Sequence, residues 1–303
     1  MDLISFGTVF LEAVFGDVPA LPGPGEEVYT GQFGFSCGGG AVTVATAAAQ
    51  LGVHAGMGAV LGDDLGSRII ARHCRRAGVD MSACRWVSGP AAGVSVAVNF
   101  DGDRAFISHL PRVEGRRDLG HWLEMLRIHR PKWCYLHAGP NVAPFIREAA
   151  TLGVRVAVAV SLDSVADHRG DIVDCVREAG IFLANEAELL RLTGADSLGA
   201  ALAQALTWGQ CVVTTRGADG AVVAQPDGTT HVRDGVLPVE TRDRTGAGDA
   251  FAGGLLGALC QGAGIADAAV AGNRAGSRTV GVLGAVGEVP MDGLWTEPEA
   301  WVG

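Results

Sequence analysis

Lysine is almost absent from this chain. Lys132 is the single lysine among 23 Lys plus Arg residues, and no Gly-Lys-Ser or Gly-Lys-Thr occurs anywhere. A Walker-type phosphate loop needs that lysine, so any phosphate cradle here has to use another construction. Long apolar runs are also missing. The longest nearly apolar segments, Ala41–Ala49 and Ala250–Cys260, have the length of core helices and fall short of the ~20 residues that span a bilayer. Met1-Asp2-Leu3 carries no basic region, and Leu3–Phe6 is too short for a signal-peptide core. A cytoplasmic protein with no membrane partner is expected. Seven cysteines are scattered from Cys37 to Cys260 without a close pair, which argues against a disulfide framework and a zinc site. The eight histidines lack metal-ligand spacing. Basic charge is outnumbered, 23 Lys plus Arg against 33 Asp plus Glu for a net charge of −10. Nucleic acid is therefore not expected as a partner, because binding a phosphate backbone needs a basic face.

Glycine is what the chain has in abundance, 45 residues of it, and one cluster carries chemistry. Asp243-Arg244-Thr245-Gly246-Ala247-Gly248-Asp249 runs directly into the small-residue stretch Ala250–Cys260, which reads as a helix. A glycine turn opening a helix leaves backbone N–H groups without internal partners. With the helix dipole, that makes an anion site suited to phosphate. Asp249 at the helix entrance has two readings. It can be an N-cap, or a base that takes a proton from a hydroxyl while the N–H groups stabilise a migrating phosphoryl group.

From Trp133 onward short apolar strands alternate with helices: Trp133–His137, Val154–Val160, Ile181–Ala184 and Cys211–Thr215. This rhythm predicts an α/β fold with a mainly parallel sheet covered on both faces. Leu3–Phe6 reads as another buried strand, and Ala41–Leu51, closed by Gly52, as a buried helix. Four extended segments do not fit the alternation: Val9–Phe15, Glu27–Phe35, Val94–Phe100 and Arg104–His109, the last two flanking the turn Asp101-Gly102-Asp103. They suit a small β-sheet lid. No linker or repeat breaks the chain, so one α/β domain over 1–303 is expected, with lid strands inserted from about 9–36 and 92–110.

These residues resemble the ribokinase-like (PfkB) carbohydrate kinase family over essentially the whole chain. The run Asp243–Phe251 matches that family's C-terminal signature except at Arg244. Gly38-Gly39, Leu51-Gly52 and Gly58–Gly66 match its N-terminal signature in order and spacing, Asn185–Glu188 its Asn-x-x-Glu, and Thr214–Gly220 its nucleotide-side turn. The resemblance implies a ribokinase-like three-layer sandwich with a small β-lid, and an ATP-dependent kinase of sugars, polyols or related small molecules. It implies Gly246, Ala247 and Gly248 as the anion hole and Asp249 as the base. Asn185 and Glu188 are implied to organise Mg2+, Glu188 through water, with Thr215, Gly217, Gly220 and Asn273 around the nucleotide. Asp243 and Thr245, with carbonyls near Gly284, match a monovalent-cation loop found in part of the family, which makes K+ a candidate activator. A homodimer paired through the lid is a further implication.

On the acceptor side the chain departs from the pattern. Glu12 stands where the family's first lid strand usually ends in Asp, and Val42-Thr43 where it usually carries Asn. A hydroxyl in place of an amide changes which ligand groups can be satisfied. Of the family's Asp-Pro-Asn-x-Arg only Asp163 survives. Glu12, Gly38, Gly39, Thr43 and Arg104 are therefore the candidate acceptor contacts, with His137 at a strand end beside them. Three functions compete. They are a sugar or polyol kinase, a nucleoside kinase of the same family, and a catalytically silent ligand-binding homologue, against which the intact Asp249 speaks. A dinucleotide oxidoreductase fails because Gly7 is not followed by Gly-x-x-Gly.

Overall fold

A computed structural model describes residues 1–100, 103–237 and 239–290; for Asp103 and Asp163 only the backbone is described. The Asp101-Gly102-Asp103 turn and the Asp163 side chain thus lie outside the described residues. Along the first half the elements are β1 (Leu3–Phe6), β2 (Phe10–Gly16), β3 (Gln32–Gly38), α1 (Gly40–Ala49), β4 (Ala55–Gly58), β5 (Val60–Leu61), α2 (Leu65–Ala77), β6 (Arg85–Trp86), β7 (Gly93–Phe100) and β8 (Asp103–His109). They continue as α3 (Leu119–His129), β9 (Trp133–His137), α4 (Val142–Thr151), β10 (Arg155–Ala159), α5 (Leu162–Glu178), β11 (Ile181–Asn185) and α6 (Glu186–Thr193). The last are α7 (Leu198–Leu206), β12 (Val212–Thr215), β13 (Ala221–Gln225), β14 (Gly228–Val232), α8 (Ala247–Cys260) and α9 (Ile265–Val280).

The main sheet has the order β14-β13-β12-β11-β10-β9-β1-β4. It is parallel from β12 to β4, and β13 and β14 join antiparallel at one edge. Successive strand residues alternate between two cores, as a period of two requires. Cys134 and Leu136 face a core shared with α3 to α7. Trp133 and Tyr135 face the opposite core, with α1, α8 and α9. The three-layer α/β sandwich expected from the sequence is the observed fold.

Small residues set the spacing of the second layer. A side chain at Gly253 would overlap the Val44 carbonyl of α1, and one at Gly254 would run into α9 at 2.7 Å from the Ala271 carbonyl. Helix α8 therefore lies against both neighbours with backbone close to backbone, buried on nearly every side. This burial holds its N-terminus rigidly over the sheet.

A second, smaller sheet has the order β3-β2-β7-β8. The four extended segments of the first 110 residues form it, with one change of boundary. The strand expected over Glu27–Phe35 runs from Gln32 to Gly38. Pairing begins at Gly16↔Gln32, where Thr30 also donates its hydroxyl to the Gly16 carbonyl, so 27–31 have no strand partner. At the other end the glycines look like a turn in sequence, but Gly38 still pairs with Phe10.

Candidate active site

The Gly246–Gly248 turn begins α8 as the sequence implies. Gly246 is the N-cap at φ 73°, and a Cβ there would overlap Ala285, so both backbone and space demand glycine. Ala250 N–H donates to Gly246 O at 2.8 Å, closing the first helical turn, and Ala247 N–H reaches Arg244 O at 3.4 Å. The N–H groups of Gly248 and Asp249 precede that first helical bond, and both residues line the cleft. A Cβ on Gly248 would meet nothing within 4 Å, so the space above the turn is open.

Asp249 lies in the first turn of α8 and lines a cleft of about 640 Å3 along the carboxyl ends of the sheet strands. Its Oδ1 accepts a 2.8 Å hydrogen bond from the Tyr135 hydroxyl, and His137 Nε2 lies 3.8 Å away. A Cβ on Gly40, the first residue of α1, would stand 3.1 Å from the same oxygen. Two helix N-termini therefore converge on this carboxylate, and both favour negative charge there. Gly246 and not Asp249 occupies the N-cap position of this helix, so the carboxylate is not its cap.

Asp243 secures the approach to the turn. Only 2% exposed, it accepts Thr245 N–H at 2.8 Å and Gly284 N–H at 2.9 Å. Thr245 Oγ1 is buried without a hydrogen-bond partner. The 284–289 loop is in turn fixed to β3, through Ser36 Oγ to Gly287 O at 2.9 Å and Val289 N–H to Phe35 O at 2.7 Å.

Elsewhere on the cleft wall, Asn185 and Glu188 form a capping box at the start of α6, with reciprocal 2.8 Å bonds. Both also line the cleft. Burial pushes the Glu188 carboxyl above its usual range, and the charge of Asp249 adds to the shift. Thr215 ends β12, and Gly217 to Gly220 make a tight 3-10 turn into β13. Asn273, on α9, donates both amide hydrogens, to Val232 O at 3.0 Å and Asp234 O at 2.9 Å. It borders the cleft, and its donors already hold the 232–234 segment in place.

The acceptor candidates separate. Glu12 is 5% exposed, with Oε2 unpartnered, and its other oxygen packs where a Gly38 side chain would be. Burial raises its carboxyl from the usual range to about 7, helped by the charges of Asp243 and Asp249 and opposed by the Ala285 amide and Arg104. Gly39, at φ 95°, turns the chain from β3 into α1. Arg104 lines the cleft from β8. Thr43 is turned away: 2% exposed, its hydroxyl donates to Gly39 O of its own helix at 3.1 Å. A hydroxyl one turn into a helix satisfies itself on the preceding carbonyl. Tyr135 and Gly40 were not foreseen. Tyr135 looks like an ordinary strand residue, and the one available signal was its place on the face that α8 covers.

A glycine turn at the mouth of a parallel sheet, with a carboxylate beneath it and a second sheet beside it, defines a small-molecule kinase. Residues 2–291 match the profile described as pfkB family carbohydrate kinase, and the chain belongs to that family. It is 29% identical over 259 residues to an ATP-dependent ribose-1-phosphate kinase of Halopiger xanaduensis, across 82% of each chain. It is 32% identical over 160 residues to adenosine kinase of Schizosaccharomyces pombe, across 51% of this chain and 46% of that enzyme. A putative ribokinase II from Escherichia coli, solved in complex with ATP and Mg2+, superposes with a TM-score of 0.77 at 20% identity, covering 95% of this chain and 96% of that one.

Proposed function

We propose that this kinase transfers the γ-phosphoryl group of ATP to a hydroxyl of a sugar, polyol or nucleoside. Asp249 takes the hydroxyl proton, the freed oxygen attacks phosphorus, and ADP leaves as the phosphate ester forms. The observation that carries this reading is the position of Asp249. It stands in the first turn after Gly246–Gly248, its Oδ1 held by Tyr135, within one turn of the N–H groups that would stabilise the transferring group.

Gly246, Ala247 and Gly248 shape the anion hole, and Asn185, Glu188, Thr215, Gly217, Gly220 and Asn273 border the nucleotide. Glu188 is the residue that fits Mg2+, through water, because a half-buried carboxylate lining the cleft suits a hard cation that keeps most of its hydration. Among the described residues no three His, Cys, Asp or Glu converge as a metal cage. When bound on the phosphates, the ion supplies charge neutralisation. The unpartnered Thr245 hydroxyl beside Asp243 supports a monovalent cation, K+, at that loop. Glu12, Gly38, Gly39 and Arg104 form the acceptor wall, and Thr43 backs it by holding the start of α1. The small sheet acts as the lid of one kinase domain. Its outer face exposes Phe33, Val94 and Ile107 by 48%, 47% and 76%, which supports pairing of two lids in a homodimer working in the cytoplasm.

The test is acceptor-dependent ADP formation from Mg-ATP over pentoses, hexoses, polyols and nucleosides, with and without K+. One class of acceptor is expected to give turnover. ATP binding with silence across the panel would favour the silent homologue instead.

A further inference from the structure

We infer that Tyr135 is a positioning residue for the base: its phenol fixes Asp249 Oδ1, leaving Oδ2 to meet the acceptor hydroxyl. This rests on the reading of Asp249 as the base, and deepens it.

The geometry is specific. Tyr135 is 1% exposed and comes from β9, 114 residues from Asp249 in sequence. A buried phenol needs a partner for its one hydrogen. A carboxylate 2.8 Å away can only accept, so Tyr135 is the donor in that contact. His137 Nε2 lies 3.2 Å from the phenol oxygen on the other side. With the phenol hydrogen engaged by Asp249, the contact from His137 requires hydrogen on Nε2. This assigns the tautomer and orders a chain from His137 through Tyr135 to Asp249. Burial and the charge of Asp249 push the phenol far above its ordinary range, so it stays a donor at every working pH.

Among the described residues the phenol is the one hydrogen-bond partner of Asp249, with His137 Nε2 farther off at 3.8 Å from the same oxygen. The charged and titratable groups around the carboxylate are Tyr135 and His137 from β9, Glu188 from α6 and Glu12 from β2. Arg104 from β8 and Arg244 from the loop before the turn line the same cleft. Tyr135 alone of these both touches Asp249 and is fully enclosed. The phenol's hydrogen bond is made to the charged form of the carboxylate, so removing it takes an interaction away from that form.

Tyr135→Phe removes one oxygen and keeps the ring. It is expected to lower kcat about 10- to 100-fold, the loss of one hydrogen bond to a charged group. The KM for ATP should stay unchanged, and the acidic limb of the kcat profile should move to higher pH. A role confined to packing would not move that limb. The chain contains two tyrosines, so incorporating 3-fluorotyrosine with Tyr29→Phe in the background labels Tyr135 alone. Its more acidic phenol keeps the ring and hydroxyl, adding one fluorine, and should shift the limb the other way, to lower pH. The 19F resonance should titrate with Asp249 and lose that titration in Asp249→Asn. Should Tyr135→Phe not fold, the fluorotyrosine protein carries the test.

An unmoved limb in the folded variants, or a 19F signal indifferent to Asp249→Asn, would overturn the assignment. The two readings fail separately. Full turnover in Asp249→Asn removes the base itself, whereas a dead Asp249→Asn beside a normal Tyr135→Phe removes the positioning role alone.

Discussion

Asp243 Oδ2 accepts the Gly284 N–H at 2.9 Å across 41 residues of sequence, and this contact joins the glycine turn to the loop that also bonds to β3 of the small sheet. The other carboxylate oxygen holds Thr245 N–H, so one buried side chain sets the angle at which α8 begins. Asp243→Ala would leave two buried N–H groups unsatisfied, at about 1–3 kcal/mol each. A clear fall in Tm and a loss of kcat larger than any rise in ATP KM are expected, read by thermal unfolding and steady-state kinetics.

The two glycines of the turn should answer differently to the same change. Gly246→Ala places a Cβ at φ 73° and against Ala285, so strain and overlap should cost at least ~1–3 kcal/mol of stability. Gly248→Ala meets no protein atom within 4 Å, and its Cβ enters the space above the turn. Its Tm is expected to match the unaltered protein while turnover falls. A Gly248→Ala protein with full activity would show that phosphate does not approach this turn.

Glu12 gives the protein a pH dependence of known sign. Its carboxyl ionises near 4.5 in the unfolded chain and at about 7 in the folded one. Between those values the native state binds the extra proton, so stability falls as pH rises through the window and levels off above it. The full difference is up to about 3 kcal/mol. Glu12→Gln should flatten that slope and be the more stable protein at pH 8, measured by denaturant unfolding from pH 5 to 8. An unchanged slope would mean that Glu12 titrates as an ordinary carboxylate.

Asn185 is both a cap and a cleft residue, and substitution can separate the two. Asn185→Asp keeps an oxygen acceptor for Glu188 N–H, so the helix should hold with Tm within about 0.5 kcal/mol equivalent. It adds a negative charge where we propose that the triphosphate lies, and ATP KM should rise. An unchanged KM would take Asn185 away from the nucleotide and leave it as a cap.

The glycine turn that opens α8 was legible because it is a contiguous run: bare backbone, then a carboxylate, then a helix. The parallel sheet was equally legible, since strands and helices alternate with their own periods from Trp133 on. Boundaries failed at β3, where glycine marks close approach to Glu12 rather than the end of a strand. The Thr43 hydroxyl bonds back to Gly39, which a residue's type does not reveal. Tyr135 stayed hidden for a different reason. Its partner lies on another element, and only packing of α8 onto one face of β9 brings phenol and carboxylate together.

The most direct test of the account is turnover in Asp249→Asn, assayed as acceptor-dependent ADP formation with ATP binding measured in parallel. The substitution keeps the size of the side chain and removes the base. Turnover is expected to fall by at least ~100-fold while ATP still binds. Near-normal turnover in a folded Asp249→Asn protein would contradict the account at its centre.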